Sequence, residues 1–275
     1  MKIAACNEFF ENWEIERVFE YLAKIGYDGV EIAPFTLAAS VTDIPSTRRV
    51  AIRRAAENHG IQVVGLHWLL ASPEGLYINH PDLGIRSRTQ DYFCELIRFC
   101  GDVGGKVMVM GSPKQRSVQE GWSYEEAWQR TEEVFRACLK VAEEREVTIC
   151  IEPLAKALTN FINTAEEARK MVREMDHPNF QTMVDVYSGS TEEKPVPQLL
   201  RETKDCLGHV HVNDANGRGP GFGEVNFLPI LQTLADIAYD QYISIEVFDF
   251  KPDPETIATK SLAYLKETLA QVGRS

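Results

Sequence analysis

The sequence predicts a single-domain (β/α)8 barrel over residues 1–275. Three observations predict it. Short, β-branched apolar runs alternate with longer segments of helical periodicity. The short runs are apolar nearly throughout, as in VMVM at Val107–Met110, which is the pattern of a parallel sheet covered on both faces. Eight such pairs in 275 residues match the count and length of this barrel. An open doubly wound sheet is the alternative. Its G-x-G-x-x-G opening is missing after the first run, where the chain reads CNEFFEN.

The elements follow in order. Strand Lys2–Cys6 leads to helix Trp13–Ile25, where Val18, Tyr21, Leu22 and Ile25 recur at steps of three and four. Strand Gly29–Pro34 precedes helix Ser46–His59, and strand Gln62–Leu69 precedes helix Ile85–Val103. Lys106–Met110 is followed by Tyr124–Arg145, and Thr148–Pro153 by Thr164–Glu174, whose Thr-Ala-Glu-Glu start reads as an N-cap with acids in the first turn. Gln181–Val186 and Pro197–Cys206 come next, then Gly208–Val212 and Phe227–Ile237. Strand Tyr242–Phe248 and helix Pro254–Val272 close the series, with Pro254 at a first helical position. Gly26, Gly60, Gly104 and Gly105 fall where helices should stop.

The bulk numbers bound the function. With 44% hydrophobic residues the chain can bury a large core. The formal charge of −12 opposes phosphate backbones and anionic lipid, so nucleic acid and membrane are excluded as partners. No stretch reaches the ~20 apolar residues of a membrane helix, and the start MKIAACNEFFENWEIE is not a signal peptide. The six cysteines (Cys6, Cys94, Cys100, Cys138, Cys150 and Cys206) form no C-x-x-C pair and read as reduced thiols of a cytoplasmic protein.

In such a barrel, chemistry gathers where strands end. Those ends read Asn7, Glu31, His67, the loop Gly111–Arg116, Glu152, Asp185, His211 and Glu246. Charged residues at the ends of strands buried on both faces should be paired or metal-bound. One such acid alone reads as a helix cap or a structural ion pair. Four in succession, Glu152, Asp185, His211 and Glu246, separated by 33, 26 and 35 residues, read as one site fed by adjacent strands. Three buried carboxylates cannot all stay ionised without a compensating cation. The expectation is one divalent metal per chain. The oxygen-rich donor set suits Mn²⁺ first, with Mg²⁺ next and Co²⁺ admitted by the imidazole. His209 points to the same side as His211 but lies deeper, as a core or supporting histidine.

Glu152-Pro, Met-Val-Asp185, the run HVHVND around His211 and Ile-Glu246-Val-Phe-Asp together resemble the xylose isomerase-like barrels. Within them, the likeness is to sugar phosphate isomerase/epimerase proteins that include the ketose 3-epimerases, and it covers nearly the whole chain. The resemblance implies that Glu152, Asp185, His211 and Glu246 bind the metal. It further implies that Glu152 and Glu246 are catalytic. They would move a proton on opposite faces of a carbon beside a carbonyl, through a metal-stabilised enediolate. The implied activity is isomerisation or epimerisation of a sugar, keto-sugar or polyol derivative. The sequence also departs from the epimerase pattern. Leu158 stands where those enzymes carry a glutamate, Ser188 stands in place of a histidine, and Arg218 is one residue out of register with their arginine.

Around this site, substrate contacts are expected from Glu31, His67, Trp68, Lys114, Arg116, Asn213 and Arg218. His67 would bond a sugar hydroxyl or pack at the mouth, and Trp68 would face sugar C–H groups or join the core. Lys114 and Arg116 would bind an anion or pair with a mouth acid such as Glu152, and Arg218 sits where barrels often hold phosphate. Glu31 resembles a residue touching the far end of the sugar. Residues 70–83 form a lid, a packed surface loop or the contact of a homo-oligomer. Competing activities are a dehydratase or lyase on a 3-keto sugar, an endonuclease-like hydrolase and a non-catalytic sugar-binding barrel. The charge opposes DNA, and paired glutamates argue against pure binding.

Overall fold

The apolar runs pair side by side in chain order. In the computed structural model, which describes residues 1–273, the strands are Lys2–Cys6 (β1), Gly29–Ile32 (β2), Gln62–Leu66 (β3) and Val107–Met110 (β4). Thr148–Ile151 (β5), Phe180–Asp185 (β6), Leu207–Val212 (β7) and Tyr242–Ile245 (β8) follow. All neighbours are parallel, and β8 returns to β1 with Ile3 opposite Ile243, closing the barrel. The helices are Ile15–Ile25 (α1), Ser46–Asn58 (α2), Leu83–Val103 (α3), Tyr124–Arg145 (α4) and Ala165–Met175 (α5). After them come the one-turn Val186–Gly189 (α6), Val196–Thr203 (α7), Leu228–Asp236 (α8) and Pro254–Leu269 (α9). The (β/α)8 expectation holds. No helix among the described residues is long and apolar enough to cross a membrane.

The ends of the helices follow from their sequences. Thr164 and Glu167 form a reciprocal capping box on α5, and Asp253 accepts from Thr256 N at 2.7 Å to start α9. Gly26 (φ 100°) and Gly104 (φ 94°) end α1 and α3 in the left-handed conformation that only glycine adopts cheaply. The strands stop one to three residues short of the ends expected at Pro34, Leu69, Pro153, Val186 and Phe248. There the chain has left the ladder and turned over the rim, yet Ala33, Leu69 and Val247 remain buried, so apolarity outlasts pairing.

Alternation along the strands divides the interior in two. Val30, Ile32, Ile149, Ile151, Val210, Val212, Ile243 and Ile245 join the large core between sheet and helices. The intervening residues face into the barrel, where Val109, Cys150 and Met183 form a small separate cluster. The inward parity of Cys150, Met183, His209 and Ser244 sends Glu152, Asp185, His211 and Glu246, each two residues on, to the same side and one step nearer the mouth.

At Gly65 strands β3 and β4 approach so closely that an added Cβ would lie 1.9 Å from the Val107 carbonyl oxygen. Gly65→Ala should therefore lower stability by about 1–3 kcal/mol through overpacking. Urea unfolding measures this, and an unchanged midpoint would show that the two strands part there freely.

Candidate active site

Each of the four central residues sits at, or within a residue of, the end of its ladder. Asp185 closes β6 opposite His211 of β7, and His211 pairs in turn with Ser244 of β8. Glu152 follows β5 directly, its N–H still bonded to Met110 O at 3.3 Å, and Glu246 follows β8. One donor atom from each of Glu152, Asp185, His211 and Glu246 can be chosen so that all four lie within 4.8 Å of one another, and all four residues are buried. Space has been kept for them. A Cβ at Gly111 would lie 2.3 Å from Glu152 Oε2. The donor set, three carboxylates and one imidazole, fits a divalent cation on these observations.

Three of the four donors, Asp185, His211 and Glu246, are held by hydrogen bonds from outside the cluster. Asp185 accepts from Ser188 N at 2.7 Å and from Asn213 Nδ2 at 2.6 Å, while Asn213 Oδ1 accepts from Tyr187 N. Glu246 Oε1 accepts from Trp68 Nε1 at 3.1 Å and its Oε2 lies 3.0 Å from His211 Nδ1. His211 Nε2 lies 3.1 Å from Glu31 Oε1. Donation of the Nε2 proton to Glu31 leaves Nδ1 as the ligating nitrogen, the usual carboxylate–histidine–metal arrangement. Glu31 also takes His209 Nε2 at 2.7 Å, and His209 reaches Ser244 Oγ at 3.1 Å.

Burial sets the protonation. It drives Glu152 well above the usual carboxylate range, with Glu246 and Asp185 adding repulsion. It lifts Asp185 to about 6, again with help from Glu246. Burial pushes Glu246 and Glu31 the same way, but is outweighed: His211 brings Glu246 below its ordinary value, and His211 with His209 does so for Glu31. His211 in turn is raised, its burial overcome by Glu31 and Glu246. Glu152 and Asp185 thus favour their protonated forms where a cation is not supplied, and Glu246 and Glu31 are offset by imidazoles.

A cavity of about 320 Å³ opens above the cluster. Glu152, Glu246, His67 and Trp68 reach it from the floor, and Pro113, Leu154, Leu158, Tyr187, Asn216, Gly217, Phe248 and Asp249 contribute its walls. Of the expected substrate residues, only His67 and Trp68 line it. His67 Nε2 is held by Glu8 at 2.8 Å, while Nδ1, 3.8 Å from Glu31, has no hydrogen-bond partner.

The other residues expected to meet substrate do not line this cavity. Glu31 is fully buried beneath His211 as its orienting partner. Arg116 is fully buried as well, donating to Met110 O and Ile162 O, so it ties two loops together and acts on Glu152 only through its charge. Lys114 is exposed on the turn Pro113–Gln115, and the wall there comes from Gly111, Ser112 and Pro113. Asn213 holds Asp185. Arg218 donates to Lys251 O at 2.8 Å and stacks over Phe222, linking the loops after β7 and β8.

Glu8 was missed by sequence reasoning. Its signal is an acid wedged between Asn7 and Phe9-Phe10, at the end of β1, and it is buried against His67. The glycine-rich loop after β7 is organised by Asp214, which accepts from Ala215 N, Gly223 N and Val225 N. The loop's backbone donors therefore serve Asp214 rather than a phosphate. Residues 70–83 are packed: Ile78 and Asn79 are buried, and Ile78 N bonds to Gln115 O.

A closed parallel barrel with a carboxylate–imidazole cluster at its C-terminal mouth defines a TIM-barrel protein with a candidate divalent-cation centre. The model of the family described as xylose isomerase-like TIM barrel matches residues 19–268, and the chain belongs to this family. Relatives include a D-psicose 3-epimerase of Ruminiclostridium cellulolyticum, 27% identical over 86% of this chain and 80% of its own length. A 3-dehydro-D-guloside 4-epimerase of Escherichia coli is 25% identical over 97% and 99%. Among solved structures, D-psicose 3-epimerase with D-tagatose from Clostridium cellulolyticum H10 superposes with a TM-score of 0.86 at 22% identity, covering 98% of each chain. That likeness speaks for the fold alone.

The raised value of Asp185 has a consequence for stability. The folded metal-free protein holds a proton on Asp185 between the ordinary carboxylate value near 4 and about 6, whereas the unfolded chain does not. Stability from this group is therefore present at low pH and lost as pH rises through 6. In metal-stripped protein, Asp185→Asn should remove up to about 3 kcal/mol of the fall in unfolding free energy between pH 4 and 7. Urea titrations at the two pH values test this, and identical pH slopes in wild type and variant would contradict it.

Proposed function

We propose that this protein is an epimerase acting on a carbon next to the ketone of a sugar, by proton transfer between Glu152, Glu246 and that carbon. The observation that carries the reading is the pair of glutamates, both lining the cavity, on strands β5 and β8 with Asp185 and His211 between them. The relatives add support: their names describe D-psicose 3-epimerase, L-ribulose 3-epimerase and 3-dehydro-D-guloside 4-epimerase, all inversions beside a carbonyl.

Glu152, Asp185, His211 and Glu246 would hold one divalent ion, with Mn²⁺ the first candidate. When bound, the ion supplies positive charge beside the carbonyl and acidifies the neighbouring C–H. The chain's own residues supply the proton chemistry. Glu246, kept ionised by His211 and by the Trp68 N–H, is suited to remove the proton. Glu152, which faces the same cavity from the end of β5, is suited to return one from the other face. The roles exchange in the reverse direction. Gly111 leaves the Glu152 carboxylate room to act.

Purified protein should carry about one divalent ion per chain by elemental analysis, and Mn²⁺ affinity should rise from pH 5 to 7 as the acids give up protons. Protein that neither retains nor takes up Mn²⁺ would remove the centre of this reading. Glu152→Gln and Glu246→Gln should each slow exchange of a keto-sugar C–H with deuterated water by about 100-fold or more. Exchange at the wild-type rate in either variant would show that one of the two glutamates moves no proton.

A further inference from the structure

Five large apolar side chains are exposed among the described residues: Phe35, Val50, Leu83, Leu158 and Phe248. Three of them gather at one place. Leu158 (39% exposed) and Phe248 (40%) line the cavity, and Phe35 (43%) packs edge-on against Trp68, which also lines it, at 6.3 Å. Tyr187 meets Phe248 edge-on at 5.5 Å on the same wall, and Leu154 and Pro113 complete it. The cavity is therefore divided, with carboxylates at its floor and aromatic and aliphatic faces at its rim.

Few polar side chains stand at the rim: Tyr187, Asn216 and Asp249. Asn216 donates from Nδ2 to Phe222 O at 3.0 Å and accepts at Oδ1 from Arg218 N at 3.0 Å. Asp249 faces the Arg218 guanidinium at 3.7 Å. A free ketose carries a hydroxyl on each outer carbon. Against the apolar faces of Leu158, Phe248 and Trp68 those hydroxyls would lose water and find no partner, at a cost on the order of 1–3 kcal/mol for each one fully buried there. An apolar ring would instead fill the space and remove exposed hydrophobic surface from water.

We propose that the rim is a subsite for an aromatic aglycone, so that the substrate is a keto-glycoside with its sugar over the acids and its ring between Leu158, Phe248 and Trp68. This rests on the floor being the sugar site. The sugar–floor contact fixes the direction of the ligand, because only the polar end can replace the water displaced from Glu152 and Glu246.

The test uses ligands without a ketone, so binding is read apart from chemistry. Titration calorimetry of the Mn²⁺-loaded protein with phenyl and methyl β-D-glucopyranoside should show the phenyl glycoside binding about tenfold or more tightly, the return from withdrawing much of a phenyl ring from water. Phe248→Ala and Leu158→Ala should each bring that ratio towards one while leaving the methyl glycoside's affinity within about twofold. Because the ratio is internal to each protein, loss of folded material does not imitate the result. Equal affinities in the wild type, no binding of either at millimolar concentration, or a ratio untouched by both variants would overturn the proposal. So would equal affinities with Phe248→Ala dissociating a dimer in sedimentation, which would assign the apolar rim to a second copy. Failure of deuterium exchange with every keto-sugar, beside an intact phenyl preference, would instead defeat the proton-transfer reading alone.

Discussion

The structure is governed by an excess of buried negative charge at one end of the barrel. Glu8, Glu31, Glu152, Asp185 and Glu246 are all buried there, together with three imidazoles, His67, His209 and His211, and the buried guanidinium of Arg116 near Glu152. Five carboxylates cannot all be ionised in that space against at most four positive charges without a further cation or bound protons. Two solutions operate side by side. Below, Glu31 sits between His209 and His211, and Glu8 pairs with His67, so charge is neutralised within the protein. Above, Glu152 and Asp185 are pushed toward their protonated forms, and that is where a cation would replace protons.

Much of the neighbouring chain is devoted to aiming these groups. The one-turn helix α6 begins on Asp185, whose carboxylate caps it, so the same side chain starts a helix and faces the cluster. Trp68 adopts a positive φ of 52°, an uncommon conformation for a large residue, and its indole N–H reaches Glu246. Strain kept at a position that touches a carboxylate of the buried cluster is a mark of use. Support from below matters through the cluster: Glu31 fixes which His211 nitrogen faces upward, so a residue outside the cluster governs one within it.

The fold was legible in the sequence because parallel strands buried on both faces must be apolar and must recur with the β/α unit. The four central residues were legible for the same reason reversed: Glu152, Asp185, His211 and Glu246 interrupt apolar runs at inward parity, where a charge has no ordinary excuse. Glu31 obeys the same pattern and was misplaced, because sequence gives a residue's parity but not its depth. Arg116 and Arg218 were misread differently. A cation in a mouth loop looks like an anion site, yet both answer loop carbonyls, and loop backbones advertise no unmet acceptors in sequence. Glu8 escaped because it lies two residues beyond β1, where no periodicity marks it.

The same division explains why chemistry and substrate choice separate in this barrel. The acids ride on strand ends, whose positions are set by the closed ladder and by burial on every side. The rim rides on loops that satisfy themselves: Asp214 gathers the glycine-rich turn, and Arg218 ties it to Lys251, with neither bond passing through the carboxylate cluster. Changes at Leu158 or Phe248 therefore alter what the mouth accepts without moving Glu152 or Glu246. A change at Glu31 does the reverse, disturbing the orientation of His211 while leaving the rim intact, whereas Asn213 touches both, holding Asp185 and the Tyr187 backbone. Of the departures from the ketose-epimerase pattern, Leu158 falls on the rim and Ser188 beside Asp185, while Glu152, Asp185, His211 and Glu246 themselves stay in place at the floor.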